Sequence, residues 1–358
     1  MTKLLMSALV VLTATTASAA LKLSGRIDLD NTSYNDKYLG SPATTFKARA
    51  QKMALIADGK INDQTMYALE LEFAGAAQAS AGGNRSGLNN GVKAAYVTHM
   101  PAENVGLTLG KFFSDIGGWE GQPSSADMYI TSQYQGMAPD YNGVKLAWSN
   151  DMMSVALHYA HKDDSPAGQY ENTGALAGLV YTGWFMEKAL GVMASYHAGK
   201  VDEKVAVGVP ASEKDITENF ATVGVKYDAQ PVVVSLDVNM YALENAIMGS
   251  YVADASKTAL TSLVLGAGYN LGNLTPKLQV SSEVADYKPS EATALNPNVK
   301  TTTTKIGLAL EYKPVAESDF RYHVAYTTAN AKTDISGSEA QIENHFIIGA
   351  RFSADVLK

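Results

Sequence analysis

The feature that most constrains this chain is a unit repeated from residue 21 onward, a segment of about ten residues with alternating polarity followed by a connection. Side chains on a strand point to opposite faces with a period of two, so each segment predicts a β-strand with one apolar face. We count sixteen segments, at residues 21–30, 46–57, 65–74, 91–99, 105–113, 141–148, 152–161, 174–185, 189–200, 219–228, 232–242, 258–271, 274–286, 301–312, 319–330 and 341–352.

The alternation is clearest in residues 232–242. One side of this segment carries Val232, Val234, Leu236, Val238 and Met240, and the other carries Ser235, Asp237 and Asn239. In residues 65–74 the polar side carries Glu70 and Glu72, which we expect to face the interior of a closed sheet.

The connections between the segments alternate in length. Seven are short, at residues 58–64, 100–104, 149–151, 186–188, 229–231, 272–273 and 313–318, and the intervening ones are long. A soluble β-sandwich also has alternating strands. Short turns at one rim and long loops at the other, however, are typical of an antiparallel membrane barrel.

Aromatic residues recur at the trailing ends of these segments. They are Trp148, Tyr159, Trp184, Phe185, Tyr196, Tyr227, Tyr241, Tyr269, Tyr287, Tyr312, Tyr326 and Phe352. Because strand direction alternates, these positions fall on the two rims in turn and predict two aromatic girdles. The sequence therefore favours an all-β transmembrane barrel over a sandwich.

The N-terminus has the pattern of a secretory signal peptide. Lys3 precedes an apolar run at residues 4–12, and the small residues Ala17, Ser18 and Ala19 follow. We assign residues 1–19 to a cleaved signal and residues 20–358 to the barrel. The chain has no cysteine, so neither disulfides nor thiolate metal sites are expected, and no cofactor is predicted.

An even number of about sixteen strands leaves an interior too wide for side chains to fill, so an aqueous channel is expected. The formal net charge is −8, and no basic stripe offsets it, which argues against a nucleic-acid partner. An acidic lining attracts cations, so we expect a mild cation preference.

The connection at residues 114–140 is the longest and has no sustained periodicity. Structureless loops of this length are usually functional or disordered, and its content of apolar and aromatic residues argues against disorder. It carries no lysine or arginine and four acidic residues, Asp115, Glu120, Asp127 and Asp140. We predict that this loop folds into the barrel and that these carboxylates narrow and charge the pore.

The chain resembles the general porins of Gram-negative outer membranes over nearly its whole mature length. The signal peptide, the sixteen short strands and the long third loop carry the resemblance. The segment at residues 107–113, which leads into that loop, and the pair Gly117 and Gly118 also resemble family features.

This resemblance implies passive diffusion of ions and small hydrophilic solutes through a homotrimer embedded in outer-membrane lipid. It also implies that basic side chains on the barrel wall face the acidic loop. The candidates in the first strands are Arg26, Lys47, Arg49 and Lys93, and alternation relative to Val92 and Ala94 is the reason for placing Lys93 in the lumen.

Two features depart from the family pattern. The family usually ends in an aromatic residue, whereas here six residues follow Phe352. Lys52 falls on the apparent lipid side of its strand, where a charge at the bilayer midplane would cost about 2–4 kcal/mol. We therefore expect a bulge or a rim position at Lys52.

Other functions remain open at this point. An enzyme is disfavoured because the sequence lacks G-x-S-x-G and H-E-x-x-H motifs, and His158 and His161 are expected on opposite faces of one strand. A barrel that serves as an anchor or adhesin is compatible with the sequence. A sugar-specific channel would use an aromatic path, for which Trp119, Tyr129 and Tyr134 are candidates. A phosphate channel is disfavoured, because 28 basic residues face 36 acidic ones.

Overall fold

The computed structural model describes residues 19–35, 43–75, 91–113, 115–122, 127–137, 140–162, 175–201, 216–246, 256–289, 298–335 and 340–357. Sixteen strands form one closed barrel, in which each strand pairs antiparallel with its sequence neighbours and the first pairs with the last. This closure confirms the predicted antiparallel barrel. A closed sheet leaves no strand edge without a partner, which a hydrocarbon environment requires.

The strands are β1 (Ala19–Asn35), β2 (Ala43–Asn62), β3 (Thr65–Gly75), β4 (Val92–Ala102), β5 (Val105–Phe113), β6 (Asp140–Ser149), β7 (Met153–Lys162), β8 (Ala175–Phe185), β9 (Leu190–Val201), β10 (Ile216–Ala229), β11 (Val232–Ala246), β12 (Ser256–Tyr269), β13 (Leu274–Lys288), β14 (Val299–Tyr312), β15 (Asp319–Thr333) and β16 (Gln341–Leu357). A short helix, α1 (Gln133–Met137), lies in the connection between β5 and β6.

Most strands are longer than the alternating segments that predicted them. For example, β1 has 17 residues and β2 has 20, because backbone pairing continues beyond the region where one face must be apolar. The seven short connections contain two to six residues each and lie at one rim. The first eighteen residues, which include most of the predicted signal peptide, lie outside the described residues.

The two faces of the barrel differ in polarity. On β14, Leu308 and Leu310 point outward and are 51% and 47% exposed, whereas Ala309 and Glu311 point inward and are 8% and 1% exposed. The same alternation places Asp237 and Asn239 inside and Val238 outside on β11. The outer face is therefore apolar, and the inner face carries the charged residues.

Within the described residues, no helix has the length and apolar character needed to span a bilayer.

Two of the aromatic residues assigned to the girdles face the interior instead. Tyr241 is 8% exposed and packs against Phe220, with 4.9 Å between ring centroids. Trp184 stacks on Trp119 of the β5–β6 loop, with 5.1 Å between centroids. That prediction was wrong for these two residues because position along a strand does not reveal which face a side chain occupies.

Lys52 lies on the inner face because β2 contains a bulge. The register with β1 shifts between Arg26 and Ile27, so that Lys52 pairs with Arg26. Its ammonium group is 2.7 Å from Glu70 on β3. A bulge inserts one residue and reverses the alternation beyond it, so the lysine avoids the lipid face.

The residues after Phe352 continue β16 rather than forming a separate tail. Ser353 and Asp355 pair with Ser24 and Lys22 of β1, and the pairing extends to Leu357. These residues therefore belong to the seam where the two ends of the barrel meet.

Candidate functional site

The long β5–β6 loop crosses the interior of the barrel. Its described parts, residues 115–122 and 127–137, bond to inward-facing side chains on strands from many parts of the wall. A single loop can reach β1, β6, β10, β11 and β13 together only from inside. The third long connection therefore divides the lumen, and we call it the constriction loop.

The first half of the constriction loop is seated on the wall formed by β9, β10 and β11. The buried carboxylate of Asp237 accepts hydrogen bonds from the backbone N–H of Trp119 at 3.0 Å and of Glu120 at 2.7 Å. Gly118 has a φ of +48°, a left-handed conformation that favours glycine, and this turn directs both N–H groups at Asp237. A Cβ on Gly191 would lie 2.6 Å from the Trp119 ring, so the indole requires glycine in the wall.

The second half of the constriction loop is bonded to the opposite part of the wall. Gln279 accepts a hydrogen bond from the Tyr129 backbone N–H at 2.7 Å, and the Tyr129 hydroxyl donates to Glu311 at 3.0 Å. Arg26 donates to the Met128 carbonyl at 2.6 Å and lies 4.4 Å from the centre of the Tyr129 ring. Burial and the nearby Glu311 carboxylate raise the pKa of Tyr129, so its hydroxyl stays a donor.

The two halves are tied together by Glu120. Its carboxylate accepts hydrogen bonds from both the backbone N–H and the hydroxyl of Ser132, each at 2.6 Å. Glu283 on β13 accepts from the next N–H, that of Gln133, at 2.6 Å. Burial raises the pKa of Glu120, although the two bonds from Ser132 oppose this shift.

The structure places the four predicted loop acids differently from one another. Asp115 lies 3.4 Å from Lys145 and 3.5 Å from His158, and Asp127 forms an ion pair with Arg351. Glu120 is 7% exposed and bonds inside the loop, so its predicted place on the pore surface is corrected. Asp140 begins β6, and its side chain lies outside the described residues.

Among the four predicted wall cations, Arg26 contacts the constriction loop. Lys47 and Arg49 pair with Asp30 and Asp28 on the neighbouring strand, and the register places both on the inner face. Lys47 is exposed, and the side chain of Arg49 lies outside the described residues.

Lys93 does not follow the alternation from which its position was predicted. Ala94 is 3% exposed and pairs with Glu70, so Ala94 itself faces inward. The register with β3 shifts between Glu70 and Leu71, and Lys93 falls at this irregularity. The premise that placed Ala94 on the lipid face is therefore wrong.

The predicted lumen acids Glu70 and Glu72 lie on the inner face, in register with Ile56 and Ala54 of β2. Glu70 is bonded to Lys52 and is 9% exposed.

The sequence analysis missed the cations that meet the second half of the loop. Arg26 pairs in register with Arg351, and Arg351 pairs with Arg321, so three arginines form a row across β1, β16 and β15. Both Arg321 and Arg351 donate to the buried carboxylate of Glu311 at 3.1 Å, and Lys277 lies 2.7 Å from it. Alternation identifies Arg351 as inward, but only barrel closure places it beside Arg26.

The histidines occupy the faces expected from their spacing. His158 is 4% exposed and lies inside, whereas His161 is exposed outside. The ring nitrogens of His158 and His197 are 3.5 Å apart. Across the ranges that the structure describes, no three histidine or acidic side chains converge as metal ligands.

The aromatic residues of the constriction loop mostly face the wall. Trp119 is 7% exposed, and Tyr134 is 0% exposed with its hydroxyl 2.8 Å from that of Thr222. These two residues hold the loop in place and do not form an aromatic path along the pore.

Comparisons with known proteins give the fold and the family. A family model described as phosphate-selective porin O and P matches residues 21–260. The outer-membrane channel DcaP of Acinetobacter baumannii is 14% identical with a TM-score of 0.69, and the match covers 94% of this chain and 97% of that one. In vitro folded OmpT, an outer-membrane protein of Vibrio cholerae, is 16% identical with a TM-score of 0.58, with 96% and 99% covered. A search of curated proteins found no match.

Proposed function

Because this chain belongs to the family described as phosphate-selective porin O and P, we propose that its pore is a general diffusion passage with a weak cation preference. The chain is a Gram-negative outer-membrane channel through which small solutes diffuse passively. What it prefers among those solutes follows from how charge is distributed around the constriction loop.

The open passage, in this proposal, runs between the constriction loop and the wall formed by β2, β3 and β4. The loop is bonded to β1 and to strands from β6 onward, which leaves this side of the lumen for solutes. The inner face there carries Lys47, Arg49, Glu70 and Glu72. The four loop acids and these wall residues together charge the passage, as the sequence analysis predicts.

The arginine row argues for a second candidate, a phosphate-preferring pore. Rings of arginine and lysine are typical of anion and phosphate pores. However, the carboxylates of Asp28, Asp127 and Glu311 pair with Arg26, Arg321 and Arg351, which offsets much of their charge. The observation that favours the cation preference is this neutralisation, together with the net charge of −8.

The reversal potential of the purified channel across a potassium chloride gradient distinguishes the two candidates. A cation-selective sign is expected, and the preference should increase in Lys47→Gln but not in Lys288→Gln, a control whose side chain is 59% exposed and paired with Asp286. An anion-selective sign, together with block of the current by phosphate, would contradict the cation preference and support the phosphate pore.

We also propose that the chain assembles as a homotrimer. One solved form of Vibrio cholerae OmpT is described as a trimer, and this chain shares its fold with a TM-score of 0.56. Light scattering of the detergent-solubilised protein, corrected for bound detergent, should give the mass of three chains; a monomer mass would contradict the assembly.

We infer that the protein has no catalytic activity. The carboxylate of Asp28 pairs with His323 at 2.8 Å, but both groups are buried beneath the constriction loop. Asp30 and His345 bond to Thr32, which is 0% exposed, so this pair presents no nucleophile to the pore. Sugar block of the ion current would instead support a specific channel, and a silent but folded barrel would support an anchor or adhesin.

A further inference from the structure

A second site lies behind the constriction loop, where polar atoms are buried without partners. Asn239 on β11 is 0% exposed, and neither its side-chain oxygen nor its nitrogen has a hydrogen-bond partner among the described residues. Ser262 on β12 pairs with Asn239 in register, is also 0% exposed, and its hydroxyl likewise has no partner there. A buried polar group left without a hydrogen bond costs about 1–3 kcal/mol. Three such atoms at adjacent positions point to a bound species.

These side chains point into the space between the wall and the constriction loop. Asn239 lies between Val238 and Met240, which are exposed on the outer face, so its own side chain is directed inward. Helix α1 of the loop lies against β11 and β12 at this level. The hydroxyl of Tyr134, in this helix, bonds to Thr222, which pairs with Asn239 from the other side.

Carboxylates surround this space in excess over cations. Asp237 lies two residues before Asn239 on the same face, and Glu283 pairs with Ser262 in register. Glu120 is close to both, because Ser132, which it binds, precedes the residue that donates to Glu283. The ammonium of Lys305 lies 3.2 Å from Glu283 and compensates one charge of the three. Burial raises the pKa of Glu120, as expected where buried negative charge is in excess.

We propose that a hydrated divalent cation of the calcium type binds here, held by the Asn239 side-chain oxygen, the Ser262 hydroxyl and Glu283. Calcium accepts six to eight oxygen ligands in flexible geometry, including amide oxygens, carboxylates and waters. Water alone would satisfy the buried polar atoms but would leave the charge excess of two. With one carboxylate among the protein ligands, the affinity should fall in the weak range of about 10⁻⁴ to 10⁻³ M.

Equilibrium dialysis against radioactive calcium, after removal of bound metal with a chelator, measures the site directly in the full folded protein. The wild type should bind one more calcium per chain than either Asn239→Leu or Ser262→Ala. Ser195→Ala is the matched control, because Ser195 is also buried with a hydroxyl that has no partner in the described residues. Ser195 lies three strands from Ser262, roughly 14 Å away, and its removal should leave the calcium count unchanged.

A lanthanide gives a second readout that does not depend on stoichiometry. Terbium bound at this site should emit when tyrosine and tryptophan are excited, because Tyr134 and Trp119 lie in the adjacent loop. Calcium should quench this emission by competition, and the emission should fall at least fivefold in Ser262→Ala, the smaller of the two changes. Equal calcium binding and equal emission in the wild type and both variants, all verified as folded by circular dichroism, would overturn the proposal.

Discussion

At the residue scale, the position of the constriction loop depends on Asp237. Its carboxylate accepts the backbone N–H groups of Trp119 and Glu120, which no other geometry of the loop would present together. Hydrogen bonds to a charged group contribute about 1.5–3 kcal/mol each. One buried carboxylate on the wall therefore determines how far the loop projects into the pore.

Replacing Asp237 with asparagine should loosen the loop. The amide can accept one of the two hydrogen bonds but presents a donor to the other N–H, so about 1–3 kcal/mol of loop docking should be lost. We expect larger open-channel current noise in planar bilayers. Asp286→Asn is the control, because Asp286 pairs with Lys288 near the rim. Equal noise in the two variants would show that Asp237 does not hold the loop.

Glu120 makes loop stability depend on pH. Burial raises its pKa above the ordinary value of 4.5, so folding favours the protonated form. Its stabilising contribution should be complete below 4.5 and should be lost as the pH rises through the elevated folded pKa. Denaturant unfolding at several pH values should therefore show the wild type gaining stability relative to Glu120→Gln on acidification. A difference that is constant with pH would contradict the raised pKa.

At the element scale, the constriction loop behaves as a bonded cross-piece. Its two halves are fixed to different parts of the wall, by Asp237 on one side and by Arg26 and Gln279 on the other. The link between Glu120 and Ser132 closes the loop on itself. The loop is thus held by many contacts of modest energy, and it reduces the cross-section of a barrel that would otherwise be wide.

Deleting residues 117–134 should raise the single-channel conductance severalfold, because the solute path is then limited by the barrel wall alone. Deletion of residues 203–214, in the connection between β9 and β10, is the length control and should change the conductance less. An unchanged conductance in a well-folded 117–134 deletion would mean that the loop does not restrict the pore.

At the scale of the whole molecule, a closed barrel places apolar side chains outside and charged ones inside. The outer face needs no partner other than lipid, and the inner face is stabilised by ion pairs such as Lys52–Glu70 and Lys277–Glu311. The seam between β1 and β16 is part of this arrangement, since it carries Arg26 and Arg351 side by side.

Depth along the outer face should determine how costly a charge is. Leu308→Arg places a charge near the middle of β14 on the outer face and should cost about 2–4 kcal/mol, reducing the folded fraction in lipid vesicles. Tyr312→Arg, on the same face at the end of the strand, should cost about 0–1 kcal/mol. Folding yields measured by gel mobility of unheated samples compare the two variants, and equal yields would contradict the assigned membrane position.

The alternation of side chains determined the barrel before any coordinates were considered. A period of two is a local property of a strand, so strand number, the turn-bearing rim and most inward residues, such as Asp237 and Glu70, were readable from the sequence. Local reasoning failed where the period breaks, at the Lys52 bulge and the Lys93 register shift.

The tertiary structure alone decided which charges meet. The constriction loop was recognisable from its length and acidity, but its partners come from strands up to about 230 residues away in sequence, as Asp127 and Arg351 show. Closure of the barrel brings the two ends of the chain together, so Arg26 and Arg351 become neighbours. Inward direction follows from the backbone period, whereas contact across the lumen depends on the folded path of the loop, which no local pattern encodes.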